Sequence, residues 1–214
     1  METKHQVHNL IILDESGSME SIKPSIIQGF NEIVQTVKGI VKEFPEQEHF
    51  ISLVTFNGIG QKILHFIDPV SKLESIDEKR YQPNASTPLY DAIGFSFAKL
   101  RQVVENLADY NVLVTILTDG EENASKEYTG VAIKKLIEEL KLNRWTFTYI
   151  GADHDVEKFA ASISITNTIH FQKNEANMKA MFARESNSRA NYSQKIREKK
   201  DTGDDFYKGN ETKK

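Results

Sequence analysis

Apolar and polar positions fall into blocks along this chain, and the period changes from block to block. Residues 7–14 (VHNLIILD) are a continuous apolar run closed by an acid, the pattern of a strand buried on both faces. Beyond the turn ESGSMES, Ile22, Ile26, Phe30, Ile33, Val37, Ile40 and Phe44 recur at steps of three and four. That spacing predicts one face of a long amphipathic helix. Pro24 falls in its first turn, where N–H groups have no intrahelical partner. Residues 49–56 (HFISLVTF) and 61–67 (QKILHFI) read as strands joined through Asn57-Gly58, a connection short enough to make them antiparallel neighbours. A polar stretch then runs to Ser86.

Leu89, Ile93, Phe97, Leu100, Val104 and Leu107 mark a second helix, opening at Thr87-Pro88 with a cap residue and a proline in first position. Residues 111–118 (NVLVTILT) are the clearest buried strand and end in Asp119-Gly120. Residues 130–141 read as helix, 145–150 as strand, 153–161 as a short helix capped by Asp153, and 168–171 as a short edge strand. A last helix opens near Asn174 with Met178, Met181 and Phe182 as its packing face, and its apolar pattern thins past Arg184. The alternation predicts an α/β fold: a Rossmann-like, doubly wound, mostly parallel six-stranded sheet with one antiparallel edge strand and helices on both faces. The expected organisation is one domain over residues 1–185, then a polar helical extension over 186–214 that becomes disordered beyond Asp201.

Composition narrows function more than fold. The 214 residues contain no cysteine, which excludes disulfide scaffolds, thiol catalysis, iron–sulfur clusters and cysteine-ligated zinc. A net charge of −4 gives no global pull toward nucleic acid or anionic membrane. Residues 184–200 depart from that average, setting six basic side chains against Glu185 and Glu198. They read as a solvated or frayed helix, with Tyr192 and Ile196 available to dock on a partner or back on the sheet. Residues 1–9 are polar and no apolar run is long enough to span a bilayer, so a cytoplasmic protein without a membrane partner is expected. His5, His8, His49, His65 and His170 read as packing or surface residues rather than ligands.

In a doubly wound sheet, residues just past the carboxyl ends of the central strands meet at the topological switch point. The first strand delivers Asp14, Ser16 and Ser18, the fourth delivers Asp119, and the loop opening the second helix delivers Thr87. Five oxygen-bearing side chains at one rim, with no nitrogen or sulfur ligand, select a hard cation: Mg²⁺, Mn²⁺ or Ca²⁺. Hydroxyl-rich octahedral ligation favours Mg²⁺. Gly17 is expected to let the loop bend, and Glu15, Met19 and Glu121 to flank the ion. Helix N-termini before Ile22 and at Pro88 point positive dipole ends at the rim and favour an anionic further ligand.

The string Asp14-Glu15-Ser16-Gly17-Ser18-Met19, with Thr87 in STPLYDA and Asp119 in LTDGEEN, resembles the von Willebrand factor type A domain and its metal-ion-dependent adhesion site. The resemblance covers nearly all of residues 7–185 in the order and type of elements, and is nearest to small stand-alone bacterial and phage members. It implies that Ser16 and Ser18 ligate directly, while Thr87 and Asp119 exchange direct and water-mediated contact. It further implies that a partner protein supplies a Glu or Asp to complete the octahedron, and that a ring-forming ATPase of the MoxR type is a partner class.

An enzymatic alternative is a Mg²⁺-dependent, phosphatase-like hydrolase with Asp14 as nucleophile. That chemistry needs a second acid two residues on to protonate the leaving group, and position 16 is serine. The near pair Glu121–Glu122 offers no placed substitute. The chain has no GxxxxGK[ST] or GxSxG string, and no positioned histidine base for Ser16 or Ser18. Nucleic-acid binding through the basic tail is a third, weaker reading that predicts steep salt dependence. The sequence therefore reads as a binding module without covalent chemistry.

Overall fold

A computed structural model describes residues 4–208. Its sheet contains β1 (His5–Asp14), β2 (Gln47–Asn57), β3 (Gly60–Pro69), β4 (Tyr110–Thr118), β5 (Trp145–Gly151) and β6 (Asn167–His170), in the order β3-β2-β1-β4-β5-β6. Every neighbouring pair is parallel except β2–β3, the hairpin at one edge. The chain leaves β1 toward β2 and later crosses to β4 on the other side, so the strand order reverses at β1/β4. That reversal opens a crevice at the carboxyl ends of these two strands.

Among the described residues five α-helices cover the sheet: α1 (Lys23–Glu43), α2 (Leu89–Val104), α3 (Gly130–Lys141), α4 (Val156–Ser162) and α5 (Glu175–Arg197). Val7, Ile11 and Leu13 of β1 pack with α1 and α5, whereas Leu10 and Ile12 pack with α2 and α3. Burial on both faces draws apolar residues to successive positions, which is why residues 10–13 of β1 and 112–114 of β4 are apolar runs. Gly29 lets α1 close on α5, since a Cβ there would stand 2.0 Å from the Phe182 ring.

Three local expectations are corrected. Helix α4 is capped by Asp155, whose carboxylate accepts from Lys158 N at 3.1 Å, not by Asp153. Helix α2 has Pro88 at its N-cap with no side-chain cap, so the Thr87 hydroxyl is not spent there. A 3₁₀ turn at Gly17–Ile22 precedes α1.

The largest departure lies in the last third of the chain. Helix α5 crosses residue 185 without interruption, and Glu185, Ser188, Arg189, Tyr192 and Ser193 on its inner face are buried. Arg189 pairs with Glu185 at 2.9 Å, donates to Asn9 Oδ1 of β1 at 2.8 Å and to Thr115 Oγ1 of β4 at 2.7 Å. The expected solvated helix is therefore a packed one, because polar positions on the sheet satisfy polar positions on the helix. Residues 202–208, expected to be disordered, also pack onto the domain. Phe206 and Tyr207 are buried, Tyr207 donates to Glu185 Oε2 at 2.6 Å, and Phe206 N donates to Asn167 Oδ1 at 2.9 Å. The remainder of the expected tail, 209–214, lies outside the described residues.

Candidate metal centre

Parallel pairing of Leu13 with Leu117 brings the ends of β1 and β4 side by side, Asp14 next to Thr118. Asp14 is buried and held at three points. Its Oδ1 accepts from Ser16 N at 2.7 Å, its Oδ2 accepts from Thr118 Oγ1 at 2.6 Å, and its main-chain oxygen accepts from Tyr81 Oη at 2.6 Å. Ser16 Oγ lies 3.2 Å from Ser18 Oγ, and Ser18 Oγ donates to Asp119 Oδ1 at 2.6 Å. Thr87 reaches the rim from the loop before α2, with its Oγ1 3.8 Å from where a Cβ on Gly120 would stand. The five residues singled out in the sequence thus share one rim. Asp14, Ser16, Thr87 and Asp119 are buried, and Ser18 stands exposed at the mouth.

Burial pushes the Asp14 carboxyl up to about 6; bonds from Thr118 and Ser16 pull the other way, and nearby Asp119 adds repulsion. Two carboxylates withdrawn from water call for a positive charge. One is present: Lys173 Nζ stands 2.6 Å from Asp119 Oδ2 and 2.6 Å from Asp153 Oδ2. Burial of Lys173 lowers its pKa, but the two acids outweigh that and hold it above the ordinary lysine value. The Asp119 contact is an ion pair whose direction falls short of a hydrogen bond, so buried Oδ2 retains acceptor capacity. Two acids and three hydroxyls, with that oxygen among them, fit a hard divalent cation.

The surroundings differ from expectation. Glu15 turns away from the rim, its Oε1 taking Lys62 Nζ at 2.9 Å and Gln82 N at 2.6 Å. Met19 is buried in the core and does not flank the site. Gly17 needs no special freedom, since a Cβ there would make ordinary contact with Ala85 O at 3.6 Å. The first N–H groups of α2 are already spent: Leu89 on Thr87 O, Tyr90 on Glu122 Oε2, Asp91 on Ser125 Oγ and Ala92 on Pro88 O. They are not donors for an anionic ligand. Of the suspected pair, Glu121 is exposed, and Glu122 is consumed by Tyr90 N, Ala124 N and Ser125.

Several positioning residues escaped the sequence. Asn123 exchanges hydrogen bonds with the Thr87 main chain, N to Oδ1 at 2.9 Å and N to O at 3.2 Å, which fixes where Thr87 stands. Asp91 accepts from the N–H groups of Lys126, Glu127 and Tyr128 and straps the loop after Asp119 to α2. Their signal was visible only as one acid and one amide beside the motifs, in STPLYDA and LTDGEEN.

The family model for the von Willebrand factor type A domain matches residues 10–185. This chain belongs to the von Willebrand factor type A family. Among solved structures it is similar to the vWF domain of the type V pili tip protein Mfa5 from Porphyromonas gingivalis, at 13% identity and TM-score 0.58, covering 95% of this chain and 99% of that one. It is similar to the SpRpn10 VWA domain at 12% identity and TM-score 0.56, covering 83% of this chain and 94% of that one. It is also similar to the PilB minor pilin from Streptococcus sanguinis at 12% identity and TM-score 0.62, covering 89% of this chain. The match spans 62% of that pilin, under two thirds of its length. At such identities the likeness shows a shared fold. No curated protein sequence matches the chain. Von Willebrand A domains are protein-interaction modules and are generally not enzymes. Among the described residues no helix is long and apolar enough to cross a membrane.

Proposed function

We propose that this von Willebrand A domain binds protein partners through a divalent cation held at the rim by Asp14, Ser16, Ser18, Thr87 and Asp119. The gathering of two buried carboxylates and three hydroxyls at the β1/β4 switch point supports the reading. When bound, Mg²⁺, or Mn²⁺ or Ca²⁺ in its place, supplies a Lewis-acid position for a Glu or Asp carboxylate of the partner. The chain's own part is to hold the oxygens in place: Thr118 and Ser16 N orient Asp14, Asn123 places Thr87, and Ser18 at the mouth meets incoming ligand. A ring-forming ATPase of the MoxR type is the partner class we carry forward. A cytoplasmic setting belongs to the same proposal.

Nothing at the rim favours hydrolysis. The residue placed to protonate a leaving group from Asp14 is Ser16, and Glu15 and Glu122 are both committed elsewhere. The test is an affinity capture with wild type and Asp14→Ala, each in Mg²⁺ and in EDTA. A partner retained by wild type in Mg²⁺ and lost in the other three conditions is the expected result. Identical capture in all four would refute a metal-dependent rim.

A further inference from the structure

Lys173 sits where it touches both the proposed metal site and an acid outside it. Its Nζ lies 2.6 Å from Oδ2 of Asp119 at the end of β4 and 2.6 Å from Oδ2 of Asp153 just past β5, while Lys173 itself follows β6. Three successive strands thus deliver an acid, an acid and a base to one end of the sheet. The two acids differ. Asp119 has a fully buried side chain, whereas that of Asp153 is 60% exposed and its backbone is held in the left-handed region at φ 57°. Aspartate is one of the few residues that tolerates that conformation, which here turns its carboxylate to the ammonium.

We propose that Lys173 is an internal cation that competes with the divalent metal for Asp119 and so sets the metal affinity of the rim low; the inference rests on reading the rim as a metal site. Asp119 Oδ1 accepts from Ser18 Oγ, and Oδ2, which keeps acceptor capacity, has the Lys173 ammonium as its ion-pair partner. A dication drawing on Asp119 stands close to the ammonium, and two like charges in a poorly solvated rim repel far more than they do in water. Asp153 gives the ammonium a place to stay once Asp119 is given up. The rim therefore trades a single charge for a double one, without leaving Asp119 unpaired before the exchange.

The experiment uses the full chain as wild type, Lys173→Met, Lys173→Gln and Lys173→Arg. Mn²⁺ binding is measured by titration calorimetry, and thermal unfolding is followed in EDTA and in saturating Mn²⁺. The neutral variants are expected to bind Mn²⁺ about tenfold tighter than wild type or better, with Lys173→Arg close to wild type. They are expected to unfold at lower temperature than wild type in EDTA, with the gap closing in Mn²⁺. Lys173→Gln keeps polar contact with both acids and serves if Lys173→Met does not fold. If wild type binds Mn²⁺ and the neutral variants bind it equally or more weakly, Lys173 is a plain structural ion pair and the proposal fails alone. If neither wild type nor any variant binds Mn²⁺, the metal reading fails and the proposal falls with it.

Discussion

The Asp14 carboxylate is aimed by a neighbour that carries no charge. Thr118 donates to Oδ2 at 2.6 Å while Ser16 N holds Oδ1, so the fully buried side chain has one orientation. Replacing Thr118 by Val keeps the shape and removes the donor, leaving a buried carboxylate oxygen without its partner. Such losses cost about 1–3 kcal/mol, which a urea midpoint shift in EDTA will show. A midpoint unchanged from wild type would mean that Asp14 is held by other contacts. At this scale the sequence was informative about which residues meet at the rim and silent about their supports. Asp14, Ser16 and Ser18 form a short string, and Thr87 and Asp119 close recognisable helix and strand boundaries. Thr118, Asn123 and Asp91 act through atoms brought together by the fold, and no local pattern separates them from ordinary turn and cap residues.

Among the elements, β1, β4 and the α1 stripe were readable because burial on two faces, or on one stripe, forces an apolar period. Helix α5 was readable only over its first turns. Asn174 caps it and Met178, Met181 and Phe182 face the core, but beyond them its buried face is Tyr192, which the sequence offered for docking, set among the polar Glu185, Ser188, Arg189 and Ser193. Polarity is usually a sign of exposure, and here its partners Asn9, Thr115 and Tyr207 lie far away in sequence. Arg189 carries the seat of the helix. Arg189→Ala leaves Glu185 charged and buried with Tyr207 and Thr115 as its remaining donors, and is expected to cost about 3–5 kcal/mol by denaturant unfolding. Glu185→Gln combined with Arg189→Met is expected to recover part of that loss, because no unpaired charge remains. A double variant no better than Arg189→Ala would place the cost in packing rather than charge.

The whole molecule carries a pH dependence set by buried histidines. Burial holds His8 down to about 4 and His49, with Arg189 and His5 adding repulsion, down to about 3. Unfolded histidine takes up its proton near 6.5, so between that pH and these lowered values the unfolded chain binds more protons than the folded one. Stability is therefore full above about pH 7 and falls as the pH drops through 6, by up to about 1.4 kcal/mol per pH unit for each histidine. Asp14, pushed up to about 6, works in the opposite sense over the range below that value. His49→Gln isolates the histidine contribution, and its unfolding free energy is expected to fall less steeply than that of wild type between pH 7 and 5. Parallel curves would show that His49 is not held neutral by the fold.

Residues 206 and 207 set one more condition, on synthesis. A ribosome that has reached residue 185 has made every strand and the whole region matched by the family model, yet Glu185 still lacks Arg189 and Tyr207. A nascent chain emerges in order, and domains fold as units once their contacts are available. This domain is accordingly expected to lock only after residue 207 has cleared the exit tunnel, and a translation arrest short of it leaves Glu185 buried without the Tyr207 donor.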